Sequence, residues 1–305
     1  MSKKAQLVVE GRTLVVSNLD KVLYPKDGFT KGELINYYIR IAPVLLPHLK
    51  NRPLTMKRYP DGVEGEFFYE KNCPSHRPKW VKTATVWSKA NQRQIDYCLA
   101  QDLPTLVWAA NLADIELHTS LSRKKHIARP TMMVFDLDHG APADIVQCCQ
   151  VGLWLRKILE DLKLKSWAKT SGSKGLQIYV PLNTAVTYEQ TKEWSHAIAE
   201  HLEHEHPQLV VSKMSKVLRA GKVFVDWSQN DEHKTTICVY SLRAKERPTA
   251  STPVTWEEVA ETLKKKNARK LAFRCDRTLE RVEKMGDLFA EVETLKQPLP
   301  RKWKR

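Results

Sequence analysis

The sequence predicts an α+β fold, because short apolar segments typical of strands are interspersed with amphipathic segments typical of helices. The clearest strand is residues 131–138, TMMVFDLD, bounded by Pro130 and Gly140. Three helices are predicted to begin at capping boxes, in which a threonine precedes Glu or Gln by three residues. These boxes are Thr30 with Glu33, Thr187 with Gln190, and Thr255 with Glu258. The 305 residues can bury one large core or two smaller ones.

The remaining elements follow in chain order. Residues 6–16 predict two short strands around Glu10 and Gly11, and a strand at 54–58 ends in the turn signal Pro60-Asp61-Gly62. Further predicted segments are a helix at 30–49, a helix at 104–113, a strand at 114–118, a helix at 144–162, an apolar strand after Gly175, a helix at 187–203, a strand at 223–226, a strand at 235–243, and helices at 256–266 and 279–295.

Three aspartates follow apolar strands. Asp136 and Asp138 stand two positions apart, so they face the same side of a strand about 6.5–7 Å apart. Asp226 ends a second apolar run. Carboxylates held at strand ends can bind one divalent ion or two, although Asp-x-Asp alone also suits a solvated turn.

The segment Thr170–Gly175 is a candidate phosphate loop. Gly172 and Gly175 flank Ser173 and Lys174, and glycines let backbone N–H groups approach a phosphate. The segment lacks the Walker A spacing, and Ser/Gly/Lys turns are common, so an ordinary turn remains the alternative.

Three consecutive aromatic residues, Phe67, Phe68 and Tyr69, lie near Lys57 and Arg58. In a strand at least one of the three must face outward. Exposed aromatic rings beside cations form a stacking platform for nucleic-acid bases, whereas a sheet buried on both faces is the alternative.

Composition favours a polyanionic partner. Lys and Arg outnumber Asp and Glu by 50 to 35, a formal net charge of +15. No apolar run approaches the roughly 20 residues of a membrane span, and no secretory signal is visible. The six cysteines have no CxxC pair, which predicts reduced thiols of a cytosolic protein. The expected localisation is cytoplasmic and nucleoid-associated.

Four motifs occur in a distinctive order: FDLD at 135–138, TSGSKGL at 170–176, VDWSQN at 225–230 and YSLR at 240–243. In this the chain resembles the polymerase domain of bacterial ligase D, a branch of the archaeo-eukaryotic primase superfamily that works in non-homologous end joining. The resemblance implies a primase-polymerase-like fold of two packed β-sheet modules, flanked by helices, with the active-site cleft between them.

The resemblance also implies residue roles. Asp136, Asp138 and Asp226 match the family's catalytic, metal-binding carboxylates for two Mg²⁺ or Mn²⁺ ions. The matching nucleotide ligands are Ser171, Lys174, Arg243, His118 and the stacking residues Phe67 and Phe68. Lys21 and Lys31 match the pair that receives the 5′-phosphate of a DNA end. Gln177 stands where many relatives have histidine, and an amide can donate to a phosphate but carries no charge.

The expected domain is a single catalytic domain at 1–295, with an N-terminal module at about 1–125, a catalytic module at about 126–250, a helical C-terminal part, and a basic tail at 296–305. The expected partners are DNA ends with a 5′-phosphate, NTP or dNTP, a ligase module and a Ku-type end-binding protein, with no membrane. Two alternatives stay open, namely a metal-dependent nuclease and a non-catalytic DNA-end binder.

Overall fold

The structure is a computed structural model that describes residues 4–88 and 91–300. It divides the chain into two compact units. Unit 1 comprises residues 1–125, 235–250 and 274–287, and unit 2 comprises residues 126–234, 251–273 and 288–305. The segment 235–250, which the sequence assigned to the catalytic module, therefore packs with the N-terminal unit.

The described part of the chain contains eighteen strands and six α-helices. The strands are β1 (Lys4–Val9), β2 (Arg12–Ser17), β3 (Val22–Tyr24), β4 (Phe29–Thr30), β5 (Leu54–Arg58), β6 (Phe68–Glu70), β7 (Thr83–Ser88), β8 (Arg93–Cys98), β9 (Asp114–Thr119), β10 (Met132–His139), β11 (Trp167–Thr170), β12 (Leu176–Pro181), β13 (Val210–Val211), β14 (Val223–Asp226), β15 (Thr236–Ile237), β16 (Leu242–Ala244), β17 (Pro248–Ala250) and β18 (Pro253–Val254). The helices are α1 (Lys31–Leu49), α2 (Leu103–Asn111), α3 (Ile145–Asp161), α4 (Tyr188–Glu205), α5 (Trp256–Lys265) and α6 (Cys275–Met285).

Unit 2 is built on a six-stranded sheet in the order β13-β14-β10-β12-β11-β18. One face is apolar, and Met133, Phe135 and Leu137 of β10 lie on it, fully buried within a core cluster that includes residues of α3 and α4. Because side chains alternate along a strand, Asp136 and Asp138 lie on the opposite face. The sheet therefore positions the acidic residues while its other face supplies the hydrophobic core.

Unit 1 contains a second six-stranded sheet. Five strands follow the order β15-β9-β5-β8-β7, and β6 pairs with β5 outside this path. Helices α1 and α2 contribute to its core, in which Tyr38 of α1 is fully buried and donates a hydrogen bond to the carbonyl of Ile115 in β9 at 2.7 Å. Neighbouring hairpins β1-β2, β3-β4 and β16-β17 complete the unit.

The predicted helix starts are confirmed. Thr30, Thr187 and Thr255 each cap a helix in a complete capping box, and Asp144 caps α3 in the same way. A capping box depends on residues three positions apart, so its signal is local and can be read without the fold.

Two predicted elements at the C-terminal side are wrong. Residues 235–243 do not form one strand, because β15 ends at Ile237 and Tyr240 adopts a positive φ of 64° before β16. The helix predicted at 279–295 is α6, which ends at Met285 because Gly286 follows with a φ of 68°. Both breaks are sharp turns that hydrophobic periodicity does not reveal.

The prediction of six reduced cysteines is also wrong for one pair. Cys73 and Cys98 form a disulfide with their Cα atoms 4.9 Å apart, whereas Cys148, Cys149, Cys238 and Cys275 are buried free thiols. The pairing was invisible in the sequence because the two cysteines are 25 residues apart and meet only when the segment before β7 packs on β8.

None of the helices within residues 4–88 and 91–300 is long and apolar enough to cross a membrane. Of the predicted basic tail, residues 301–305 lie outside the described residues. Gln297, at the start of that tail, is buried and bonded through its side chain to the backbone of Lys165 and Pro181.

Candidate active site

The three aspartates predicted from the sequence meet on one face of the unit 2 sheet. Asp136 of β10 and Asp226 of β14 are directly opposite each other in the antiparallel pairing. Opposite residues in such a pair have Cα atoms about 4.5–5.5 Å apart, so their side chains are neighbours. Asp138 lies two residues further along β10 and faces the same side.

Asp226 is oriented by the turn that follows it. Its Oδ1 accepts hydrogen bonds from Ser228 N at 2.9 Å and Ser228 Oγ at 2.5 Å, and its Oδ2 accepts one from Gln229 Nε2 at 2.7 Å. Asn230, fully buried, bonds both the N–H and the C=O of Val134 in β10. The Trp-Ser-Gln-Asn segment thus fixes the Asp226 carboxylate and ties the end of β14 to the strand that carries Asp136.

The electrostatics of Asp136 suit a bound cation. Burial, followed by the nearby carboxylates of Asp138 and Asp226, raises the pKa of this carboxyl from 3.8 to about 7, against the lowering effects of Gln177 and Lys169. Its Oδ1 is buried and accepts no hydrogen bond from the described residues. A divalent cation would relieve both the repulsion and the unsatisfied oxygen.

Within the described ranges, however, no three His, Cys, Asp or Glu side chains already converge on a single metal position. The Asp226 oxygens are held by Ser228 and Gln229 instead. The donor set is all carboxylate, which matches hard cations such as Mg²⁺ and Mn²⁺. The residues therefore fit metal ions, and binding requires the side chains to turn toward them.

Polar side chains extend from Asp136 across the neighbouring strands β12 and β11. Gln177 of β12 is opposite Asp136, and Lys169 of β11 is opposite Gln177. The Lys169 ammonium is fully buried and donates to Gln177 Oε1 at 2.5 Å and Ser251 Oγ at 2.7 Å. Sequence analysis missed Lys169, and its only signal was a lysine within a strand that precedes the Ser-Gly loop.

The predicted phosphate loop is a tight turn between β11 and β12. The Ser171 hydroxyl accepts hydrogen bonds from Ser173 N at 3.3 Å and Gly175 N at 3.0 Å, so Ser171 holds the loop together. A Cβ on Gly175 would lie 2.2 Å from the Leu137 carbonyl oxygen and 3.0 Å from Asp138 Oδ1. Only glycine lets the loop approach the strand of aspartates so closely, and Lys174 is exposed at its tip.

In unit 1, two residues predicted to bind the nucleotide, His118 and Arg243, contact the same carboxylate. Glu116 of β9 is buried, accepts a hydrogen bond from His118 Nε2 at 3.0 Å, and pairs with Arg243 Nε at 3.3 Å. Burial raises the pKa of Glu116, but His118, Arg243 and Lys57 outweigh it and hold this pKa at about 2. Burial lowers the pKa of His118, which favours a neutral imidazole. Glu116 thus positions His118 and Arg243 together, a role that sequence analysis did not assign.

The predicted stacking platform is exposed. Phe67 is 51% and Phe68 43% accessible, which confirms that aromatic residues of this segment face outward. Lys57 Nζ lies 4.2 Å from the centre of the Phe67 ring, and the Arg58 guanidinium lies 4.9 Å from that of Phe68. The alternative of a segment buried on both faces is excluded for these side chains.

The two lysines predicted to bind a 5′-phosphate are also in unit 1. The backbone N–H of Lys31 bonds the carbonyl of Lys21 at 2.8 Å, so the two residues are neighbours. Lys21 Nζ forms an ion pair with Asp61 at 2.6 Å. Burial lowers the pKa of Lys31 to about 8, with the charges of Lys21 and Arg58 acting in the same direction.

The predicted residues therefore fall into two sets. Unit 2 holds Asp136, Asp138, Asp226, Ser171, Lys174 and Gln177, and unit 1 holds His118, Arg243, Phe67, Phe68, Lys21 and Lys31. In unit 2 the sheet register brings the three aspartates and Gln177 together. In unit 1, Glu116 joins His118 with Arg243.

Comparisons with known proteins show the family to which the chain belongs. Residues 30–289 match the family described as "LigD, primase-polymerase domain". The multifunctional non-homologous end joining protein LigD of Mycolicibacterium smegmatis is 40% identical over 280 residues, which is 91% of this chain and 36% of that protein. The bifunctional LigD of Bacillus subtilis is 34% identical over 277 residues, which is 90% of this chain and 43% of that protein.

A solved structure gives the same result for the fold. The polymerase domain from Mycobacterium tuberculosis ligase D, in complex with DNA, superposes with a TM-score of 0.85 at 36% identity, covering 92% of this chain and 98% of that one. The resemblance and the α+β fold inferred from the sequence are confirmed. The chain spans less than half the length of these curated relatives.

Proposed function

Because the chain belongs to the family of LigD primase-polymerase domains, we propose that it is a nucleotidyltransferase that extends a primer 3′-OH at DNA ends during end joining. The substrates would be NTPs or dNTPs, and residues 1–295 would act as one catalytic domain. The observation that carries the proposal is the register that places Asp226 opposite Asp136, with Asp138 on the same face. A role at DNA ends implies a cytoplasmic, nucleoid-associated protein.

Asp136, Asp138 and Asp226 would hold two divalent ions, Mg²⁺ or Mn²⁺. When bound, such ions activate the attacking hydroxyl and stabilise the leaving group of an in-line displacement. In the reaction the primer 3′-oxygen forms a bond to the α-phosphorus of the nucleotide, and the bond between the α-phosphorus and the bridging oxygen breaks to release pyrophosphate.

The phosphate charge would be met by basic side chains. The Ser171–Gly175 loop would present Lys174 to the triphosphate, and Arg243 would neutralise charge that develops during transfer. Glu116 supports this role because it holds the Arg243 guanidinium in place through the 3.3 Å ion pair. A neutral His118 would add a hydrogen bond rather than a charge.

The DNA would be bound by unit 1. Lys21 and Lys31 are proposed to receive the 5′-phosphate of a recessed end, and the exposed rings of Phe67 and Phe68 to stack on bases. The net charge of +15 supports binding along a polyanion. A ligase module and a Ku-type end-binding protein are proposed partners, since the LigD relatives are named for end joining.

The proposal is tested with a 3′-recessed DNA end, Mn²⁺ and NTPs. We expect primer growth by the wild type, and near-complete loss of growth with retained DNA binding in Asp138→Ala. Primer shortening that ignores added NTPs would instead identify a nuclease. Binding without any extension by the wild type would identify a non-catalytic end binder.

A further inference from the structure

The fully buried ammonium of Lys169 stands out from the other lysines of the structure. Burying an unpaired ammonium is costly, so such a group needs strong partners. Two of its partners are Gln177 Oε1 at 2.5 Å and Ser251 Oγ at 2.7 Å, and Ser251 Oγ in turn donates to the Thr170 carbonyl at 2.9 Å. Neither of these acceptors carries a full charge.

Lys169 fixes the direction of the Gln177 carboxamide. An ammonium has donors only, so the end of the amide that faces it must be the oxygen. The NH₂ end of Gln177 must then point away from Lys169. The residue on that side, directly opposite in the neighbouring strand, is Asp136. Opposite residues have Cβ atoms about 4.5–5.5 Å apart, which is within reach of a glutamine amide.

The lysine and the sheet register together direct the glutamine toward the carboxylate. Lys169 donates to Gln177 Oε1, which leaves the amide NH₂ group of Gln177 to donate to Asp136 across the strand pair. Groups that orient a metal-binding carboxylate in this way set its geometry and its affinity for the ion.

We propose that Gln177, held by Lys169, is a positioning residue that orients the Asp136 carboxylate for metal binding, rather than a ligand of the nucleotide triphosphate. The inference rests on the proposed function, since it assumes that Asp136 binds a metal ion. It assigns to Lys169 a role that the sequence did not suggest, and it replaces the role predicted for Gln177.

The test measures Mn²⁺ binding by isothermal titration calorimetry without nucleotide, and NTP binding and primer extension separately. Gln177→Leu removes the donor and should weaken Mn²⁺ binding by tenfold or more, as removal of an outer partner typically does. Lys169→Met should shift Mn²⁺ binding in the same direction. In extension assays the Mn²⁺ concentration for half-maximal rate should rise, while KM for NTP at saturating Mn²⁺ stays near the wild-type value.

Two further variants separate positioning from folding. Gln297→Leu is a matched control, because Gln297 is another buried glutamine of unit 2 whose side chain bonds to the backbone of residues 165 and 181. It should lower the melting temperature without changing Mn²⁺ affinity. In the double variant Lys169→Met/Gln177→Leu, the loss of Mn²⁺ affinity should be no larger than in Gln177→Leu, because both residues act along one chain.

Gln177→Leu alone tests whether Gln177 positions Asp136, even if Lys169→Met does not fold. An unchanged Mn²⁺ dissociation constant together with a raised NTP dissociation constant would show that Gln177 binds the triphosphate, and would overturn the inference. Unchanged affinities for both ligands with a lower melting temperature would show that Lys169 and Gln177 have only a structural role, and would also overturn the inference. In both cases Mn²⁺ binding by the wild type would leave the proposed function standing, whereas a wild type that binds no Mn²⁺ would overturn both.

Discussion

Replacing Asp136 with asparagine should stabilise the metal-free protein while abolishing its activity. Asp136 is ionised at pH 8 although burial and two neighbouring carboxylates raise its pKa from 3.8 to about 7. Each pKa unit corresponds to about 1.36 kcal/mol, so the ionised carboxylate destabilises the fold by roughly 2–4 kcal/mol when no cation is bound. Asparagine has nearly the same shape and removes this charge.

The sign of the pH dependence follows from the same shift. The folded protein binds the Asp136 proton more tightly than the unfolded chain, so this group lowers the wild-type stability as pH rises from about 4 to about 7. Asp136→Asn has no carboxyl at this position, so its stability should not fall for this reason. In thermal unfolding with a chelator, the variant should melt several degrees above the wild type at pH 8, and the difference should shrink at pH 4.

The control is Asp161→Asn, at the exposed end of α3 in the same unit. In the same assay at pH 8, this exposed substitution should leave the melting temperature close to that of the wild type. Addition of Mn²⁺ at pH 8 should raise the melting temperature of the wild type much more than that of Asp136→Asn. A variant that is no more stable than the wild type at pH 8 in chelator would refute the proposed carboxylate repulsion.

Three further predictions concern the DNA end and the loop. In fluorescence anisotropy, Lys21→Ala should weaken binding to 5′-phosphorylated ends more than to 5′-hydroxyl ends, because a charge-assisted contact contributes about 1.5–3 kcal/mol. Equal losses on the two ends would show that Lys21 acts only through general electrostatic attraction. The wild-type preference for a 5′-phosphate should fall as pH rises through about 8, where Lys31 loses its proton, and this pH dependence should be absent in Lys31→Met. Gly175→Ala should lower primer extension by about 100-fold, because its Cβ would displace the strand at Asp138; near-normal extension would show that this close approach is dispensable.

The strands that carry the three aspartates could be predicted from local sequence. The apolar run before Asp136 and the one before Asp226 each indicated a strand, and both strands are present. Their pairing could not be derived from either run, since residues ninety positions apart become neighbours only through the register of β10 with β14. The family resemblance supplied that link in advance.

The residues that sequence analysis missed act through long-range contacts. Lys169 resembles any lysine in a short strand until β11 pairs with β12 and buries it beside Gln177. Glu116 can position Arg243 only because the fold brings Arg243, 127 positions away in the chain, next to β9. The sharp turn at Tyr240 was missed because a positive φ in a non-glycine residue leaves no pattern in hydrophobic periodicity.

The most direct test of the proposed metal-binding role is a crystal structure with Mn²⁺ and a non-hydrolysable NTP, with the ions located by anomalous scattering. We expect two peaks about 3.5–4 Å apart, coordinated by Asp136, Asp138 and Asp226, with the triphosphate beside the Ser171–Gly175 loop. Peaks elsewhere, or an Asp226 carboxylate still bonded only to Ser228 and Gln229 when nucleotide and metal are bound, would contradict the account.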